Sequence, residues 1–126
     1  MTIEFDFQYP PKPAPRPRFT KNGIVYEPKA YKDYKGLLTA KAIKVMEERQ
    51  PISTCVWAQI NFFKRTDPIS RNYGDIDNLT KAVLDALNGI VYTDDCIIVG
   101  LGVTKNYDAN SRVHIKVSDF PFELTI

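Results

Sequence analysis

The hydrophobic residues of this chain change period four times, and that alternation restricts its fold more than any other feature of the sequence. IEFDFQY (3–9) alternates apolar and polar positions, the pattern of a half-buried strand. From Pro28 to about Gln50 the period is helical. Leu37, Leu38, Ala42, Val45 and Met46 make an apolar stripe with lysines on the other side, and Pro28 suits a helix start. TCVWAQINFF (54–63) returns to a strand. Residues 77–88 make a second helix, with Ile76, Leu79, Val83, Ala86 and Leu87 on its buried side and Asn88-Gly89 ending it. CIIVGLGVTKNY (96–107) and RVHIKVSDF (112–120) are two strands joined through DANS as a hairpin-like turn. IVY (24–26) is a further short strand. The order β-α-β-α-β-β predicts an α+β domain over residues 1–126, a small mixed sheet with both helices on one face.

A hydrophobic content of 44% supplies a packed core for one domain of 126 residues. No apolar run approaches the roughly 20 residues of a bilayer span, and MTIEFDFQYPPK lacks the basic and apolar regions of a signal peptide. The expected location is therefore the cytoplasm, with no membrane partner. Cys55 and Cys96 stand alone without metal-ligand spacing, so both are expected to be buried reduced thiols.

The net charge is only +2, but it is unevenly spread. From Lys12 to Lys44 nine basic residues face Glu27 and Asp33, a local charge of +7. Six of the nine are expected to contact a phosphate backbone: Lys12, Arg16, Arg18, Lys21, Lys29 and Lys32. Four of these lie on a proline-rich arm, PPKPAPRPRFTKNG (10–23), which must be a loop or extended segment. From Asp67 to Asp108 three basic residues face seven acidic ones, a charge of −4. Such polarity suits a protein that grips an anion with one part and a cation with another.

Five of those acids fall in GDIDNLTKAVLDALNGIVYTDD (74–95): Asp75, Asp77, Asp85, Asp94 and Asp95. Each has a structural alternative. Asp75 or Asp77 could cap the helix, Asp94-Asp95 could be a plain turn, and Asp85 could be an exposed helix residue. Together they suggest more. Asp75 and Asp77 are two apart and point the same way in an extended lead-in. Asn78, Lys81 and Asp85 share the polar stripe of the helix. The short return brings Asp94 and Asp95 back beside the helix start. Converging carboxylates repel, and a divalent cation removes that cost. Oxygen-only ligands favour Mg²⁺, with Mn²⁺ as a substitute. An EF-hand fails, because Thr80 stands where its loop needs glycine and Ala86 where it needs glutamate. His114 lies in a strand pattern, apart from the acids.

A carboxylate–metal centre beside a basic arm suggests phosphodiester hydrolysis. Lys81 would place positive charge near the phosphorane, or alternatively form an i,i+4 salt bridge with Asp77.

DIDNLTKAVLDALNG followed by YTDD resembles the signature of the RusA family of Holliday junction resolvases. PAPRPRFT and YEPKAYKDYK are similar to that family's N-terminal region. The resemblance implies a small homodimeric endonuclease that uses Mg²⁺ to cut four-way DNA junctions symmetrically in recombination and repair. It places the essential aspartates on Asp75, Asp77 and Asp95 and the motif lysine on Lys81. Asp94 supports the metal site, and Asp85 stands behind it or is structural. The DAL-to-DD segment is one residue shorter than in some members, which leaves the choice of primary ligand between Asp94 and Asp95 open. A two-fold dimer would present two sites to a near-two-fold junction. The rivals are a flap or branched-DNA nuclease of broader specificity and a non-catalytic nucleic-acid-binding module.

Overall fold

A computed structural model describes residues 1–15, 18–19, 22–23 and 25–119, with the backbone alone at 18–19 and 25–26. β1 (Thr2–Phe7) buries Ile3, Phe5 and Phe7 and exposes the residues between them, as its alternation requires. β2 (Arg18–Phe19), within the basic arm, pairs antiparallel with β3 (Val25–Tyr26), which falls in the short strand expected at 24–26, so the arm carries a strand where a loop or extended segment is expected.

α1 (Lys29–Met46) begins after Pro28 and stops four residues short of Gln50. Glu47 there takes a left-handed φ of 55°, and the Arg49 guanidinium donates to the carbonyls of Val45 and Met46 at 2.8 and 3.2 Å. The Val45 carbonyl would otherwise be orphaned at the helix end, while that of Met46 also accepts from the Arg49 N–H at 3.0 Å. The buried stripe of α1 is Tyr31, Tyr34, Leu38, Ala42 and Met46. Leu37 is turned outward, 45% exposed, because it sits one position off that stripe.

β4 (Val56–Lys64), α2 (Ile76–Leu87) and β5 (Ile98–Tyr107) form a β-α-β unit in which β4 and β5 run parallel. A helix-containing crossover is what joins parallel strands. β6 (Arg112–Asp119) pairs antiparallel with both β4 and β1, giving the order β1-β6-β4-β5. The expected β5–β6 hairpin is therefore absent from this sheet, because β4 lies between the two strands. Two strand spacings, about 9.6 Å, are within reach of a four-residue link. The link turns round the end of β4, where the Asp108 N–H donates to the Lys64 carbonyl at 3.1 Å.

One face of the sheet is buried, by Val56, Ala58, Ile60 and Phe62 of β4 and by Val113, Ile115 and Val117 of β6. The other face carries Glu4, Asp6, Gln59 and Lys116, all exposed. Both helices thus cover a single face, as expected for the α+β class. On the outer face the Trp57 ring packs against Gly100; a Cβ there would come within 1.8 Å of the indole. Cys55 is half-buried and Cys96 exposed, which corrects the expectation of two buried thiols. Cys96 is exposed because it falls in a 3₁₀ turn (Asp95–Ile97) and not in a strand. Among the described residues no helix is long and apolar enough to cross a membrane.

Candidate active site

The loop 65–74 delivers the first acid. Its last aromatic, Tyr73, is fully buried and donates from its hydroxyl to the Asn106 carbonyl at 2.8 Å. Two ammonium groups flank its ring, Lys64 at 5.5 Å and Lys105 at 5.2 Å from the centroid. Both also hold the loop backbone: Lys64 donates to the Asn72 carbonyl and Lys105 to the Gly74 carbonyl, each at 3.0 Å. Gly74 then takes φ +105°, a value that favours glycine, with Pro13 and Leu79 closing in on the space a Cβ would need. Sequence patterning does not identify Lys64, Tyr73 or Lys105 as supports of the site. Their only signal is basic and aromatic residues at strand and loop ends.

Asp75 is the N-cap residue of α2, and its carbonyl accepts from the Leu79 N–H at 2.9 Å. Its side chain makes no capping hydrogen bond. Asp77 lies in the first turn, exposed, with Oδ1 accepting from the Asn78 N–H at 2.9 Å. Asp77, Lys81 and Asp85 follow at four-residue steps, about 6 Å each along one face. Lys81 donates to Asp85 Oδ2 at 3.0 Å, so its salt bridge is with Asp85 and not with Asp77.

Asp77, Lys81 and Asp85 line one side of a cleft of about 490 Å³ between α2 and the edge strand β5. Leu101 and Val103 line the β5 side, Asp95 reaches in from the return segment, and Ile76, Thr80 and Leu84 complete the walls. Ile76 is 43% exposed, so it belongs to this cleft and not to the core stripe expected for it. Thr80 and Ala82 take the buried positions instead.

The return segment is pinned under the cleft. Tyr92 is fully buried and donates from its hydroxyl to the Leu84 carbonyl at 2.6 Å. Ile52 brackets the segment, donating to the Val91 carbonyl at 2.9 Å and accepting from the Thr93 N–H at 3.0 Å. Asp95 consequently meets α2 near Lys81 and Asp85, along the helix and not only at its start. Asp94 and Asp95 share a side-chain hydrogen bond that drives their acidities apart. Asp94 is held below the usual carboxylate range by that bond and by the Cys96 N–H. Asp95 is pushed up by the same bond, by partial desolvation and by the charges of Asp94 and Asp85, with Lys81 opposing.

Among the described residues no three histidine, cysteine or carboxylate side chains stand close enough to hold a metal ion together. The donor chemistry nevertheless suits a hard cation. Asp77, Asp85 and Asp95 offer only oxygen, and Asp95 carries a repulsion that a cation would relieve. Asp75 and Asp94 stand outside the cleft wall, each next to or two residues from a residue that lines it.

The basic arm reaches this site through its backbone. The Ala14 N–H donates to the Asn78 carbonyl at 2.9 Å, which sets the arm against the first turn of α2. Lys12 is half-buried on the way to that contact, while Lys29 and Lys32 are exposed at the start of α1. Arg16 and Lys21 lie outside the described residues, and Arg18 is described by its backbone in β2. His114 sits on β6, where its Nε2 meets Glu4 at 2.7 Å, away from the cleft-lining residues.

A family profile described as Endodeoxyribonuclease RusA matches residues 8–118. Over 45 residues, 36% of the chain, the sequence is 42% identical to the uncharacterized protein YqaN of Bacillus subtilis (strain 168). The matched stretch spans about a third of that protein's length, 32%.

Proposed function

The chain belongs to the endodeoxyribonuclease RusA family, and from that premise we propose that it resolves four-way DNA junctions by paired, Mg²⁺-dependent phosphodiester hydrolysis. It acts as a homodimer on cytoplasmic DNA during recombination and repair. The observation that carries this reading is the cleft that gathers Asp77, Lys81, Asp85 and Asp95 beside the anchored basic arm.

Asp75, Asp77 and Asp95 would hold the cation, with Asp94 supporting Asp95. Bound there, Mg²⁺ supplies Lewis-acid charge at the phosphate and a more acidic water. The chain's own groups do the rest. Lys81 is 63% exposed and its partner Asp85 34%, so the ammonium is free to turn from Asp85 to a phosphate oxygen. Asp85 keeps it poised until then. A cation there would relieve the repulsion that Asp94 and Asp85 exert on the Asp95 carboxylate. The apolar walls at Ile76, Leu84, Leu101 and Val103 limit water around the reacting groups. Lysines and arginines of the arm grip the backbone flanking the cut, which gives selectivity for shape over sequence.

Asp77→Asn tests this assignment. Junction binding should survive and cleavage should vanish; cutting at the wild-type rate removes Asp77 from the chemistry.

A further inference from the structure

A second cavity, of about 500 Å³, lies where the arm leaves β1 and passes over α1. Tyr9 and Leu37, 44% and 45% exposed, supply broad apolar surface on opposite elements. Pro10 and Pro11 stiffen the arm side. Lys12 and Lys64 also line it, and among the described residues neither has a carboxylate within ion-pair distance. Lys64 is held below the usual lysine range by burial and by the Lys12 charge, so the two ammonium groups feel each other. An anion between them would relieve that repulsion. Asp33 offers an acceptor for a base amino group, the role carboxylates take toward exocyclic amines. Tyr34 lies beneath, with burial raising its phenol to about 12. Its hydroxyl has no hydrogen bond of normal geometry, although the Lys12 backbone offsets part of that rise.

Position adds to chemistry. Lys12 is two residues from Ala14, which is bonded to the first turn of α2. Two residues of chain reach at most about 7 Å, so the cavity lies beside the part of the arm that is fixed to α2.

We propose that this cavity takes one unpaired nucleotide of the DNA substrate, its base against Tyr9 and Leu37 and its phosphate on Lys12 and Lys64. The proposal rests on the nuclease reading above. Aromatic and apolar walls beside cations are the means by which proteins hold unstacked bases. It implies that a base near the branch is drawn out when the junction is bound.

Junctions carrying a single 2-aminopurine at successive positions around the branch test this, with the full chain and EDTA. Fluorescence should change at one position on binding. Tyr9→Ala should abolish that change and weaken binding roughly five- to hundredfold. Leu37→Glu, on the opposite wall, should do the same. If both variants are folded by circular dichroism yet bind with the wild-type affinity and signal, the cavity is not a nucleotide site. Wild-type cleavage of junctions with Mg²⁺ would then leave the nuclease reading standing. If the wild type cuts no branched DNA, the nuclease reading falls. A short single-stranded oligonucleotide titrated against ¹⁵N-labelled protein then decides the cavity alone. Shifts at the Lys12 and Leu37 amides uphold it, and unmoved amides there overturn it.

Discussion

The backbone N–H of Ala14 donates to the carbonyl of Asn78 at 2.9 Å, and this hydrogen bond joins the basic arm to the acidic helix. Polarity visible along the chain as separate charged segments thereby becomes one surface.

That contact can be removed by one substitution. Ala14→Pro deletes the donor and should cost about 1 kcal/mol of stability, the usual worth of one such bond. Junction affinity should fall, because the arm loses its fixed place beside α2. Ala14→Gly keeps the N–H and should retain affinity. Equal binding by the proline variant, measured by gel shift, would separate the arm from DNA recognition.

Lys81 offers a test that distinguishes chemistry from packing. Its bond to Asp85 is an exposed i,i+4 pair, so Lys81→Met should change the melting temperature little. Loss of a charge directed at the transition state should still lower the cleavage rate by roughly 10²–10³. A stable variant with full activity would make Lys81 a surface residue only.

Trp57 and Gly100 make a structural prediction independent of function. Gly100→Ala forces the indole aside or shifts β5, at a cost of about 1–3 kcal/mol in thermal denaturation. Combining it with Trp57→Ala should recover part of that loss. If the double variant is additive, the two residues do not couple as their contact requires.

Asp108 sets a pH dependence. Its carboxyl is held below the usual carboxylate range by the Asn110 N–H, followed by Arg112. A depressed carboxylate stabilises the fold fully above its unfolded pKa, and the contribution fades as pH falls through the lower folded value. Asp108→Asn should therefore be less stable than wild type at neutral pH, with the gap closing below about pH 4. A gap unchanged down to pH 2 would contradict this.

The elements were legible where periodicity was strong and short-range. α2 reads correctly because Leu79, Val83, Ala86 and Leu87 repeat at helical spacing, and the Asp77–Lys81–Asp85 steps follow from the same geometry. α1 is weaker. Its buried face uses Tyr31 and Tyr34, whose amphipathic rings are harder to read as core than Leu37, which turns outward. Strand pairing was not legible: a four-residue link suggests a hairpin, but nothing local reveals that β4 inserts between β5 and β6. The site divides in the same way. Its acids lie in one segment and can be found by eye. The Lys105–Gly74 and Tyr92–Leu84 bonds that position them join residues brought together only by the fold.

The most direct test is cleavage of a synthetic mobile four-way junction against linear duplex of the same sequence, with Mg²⁺ and with EDTA. Paired symmetric nicks confined to the junction, present only with Mg²⁺, are the predicted result. Binding without cutting, or equal cutting of the duplex, would contradict the central claim that this cleft resolves junctions.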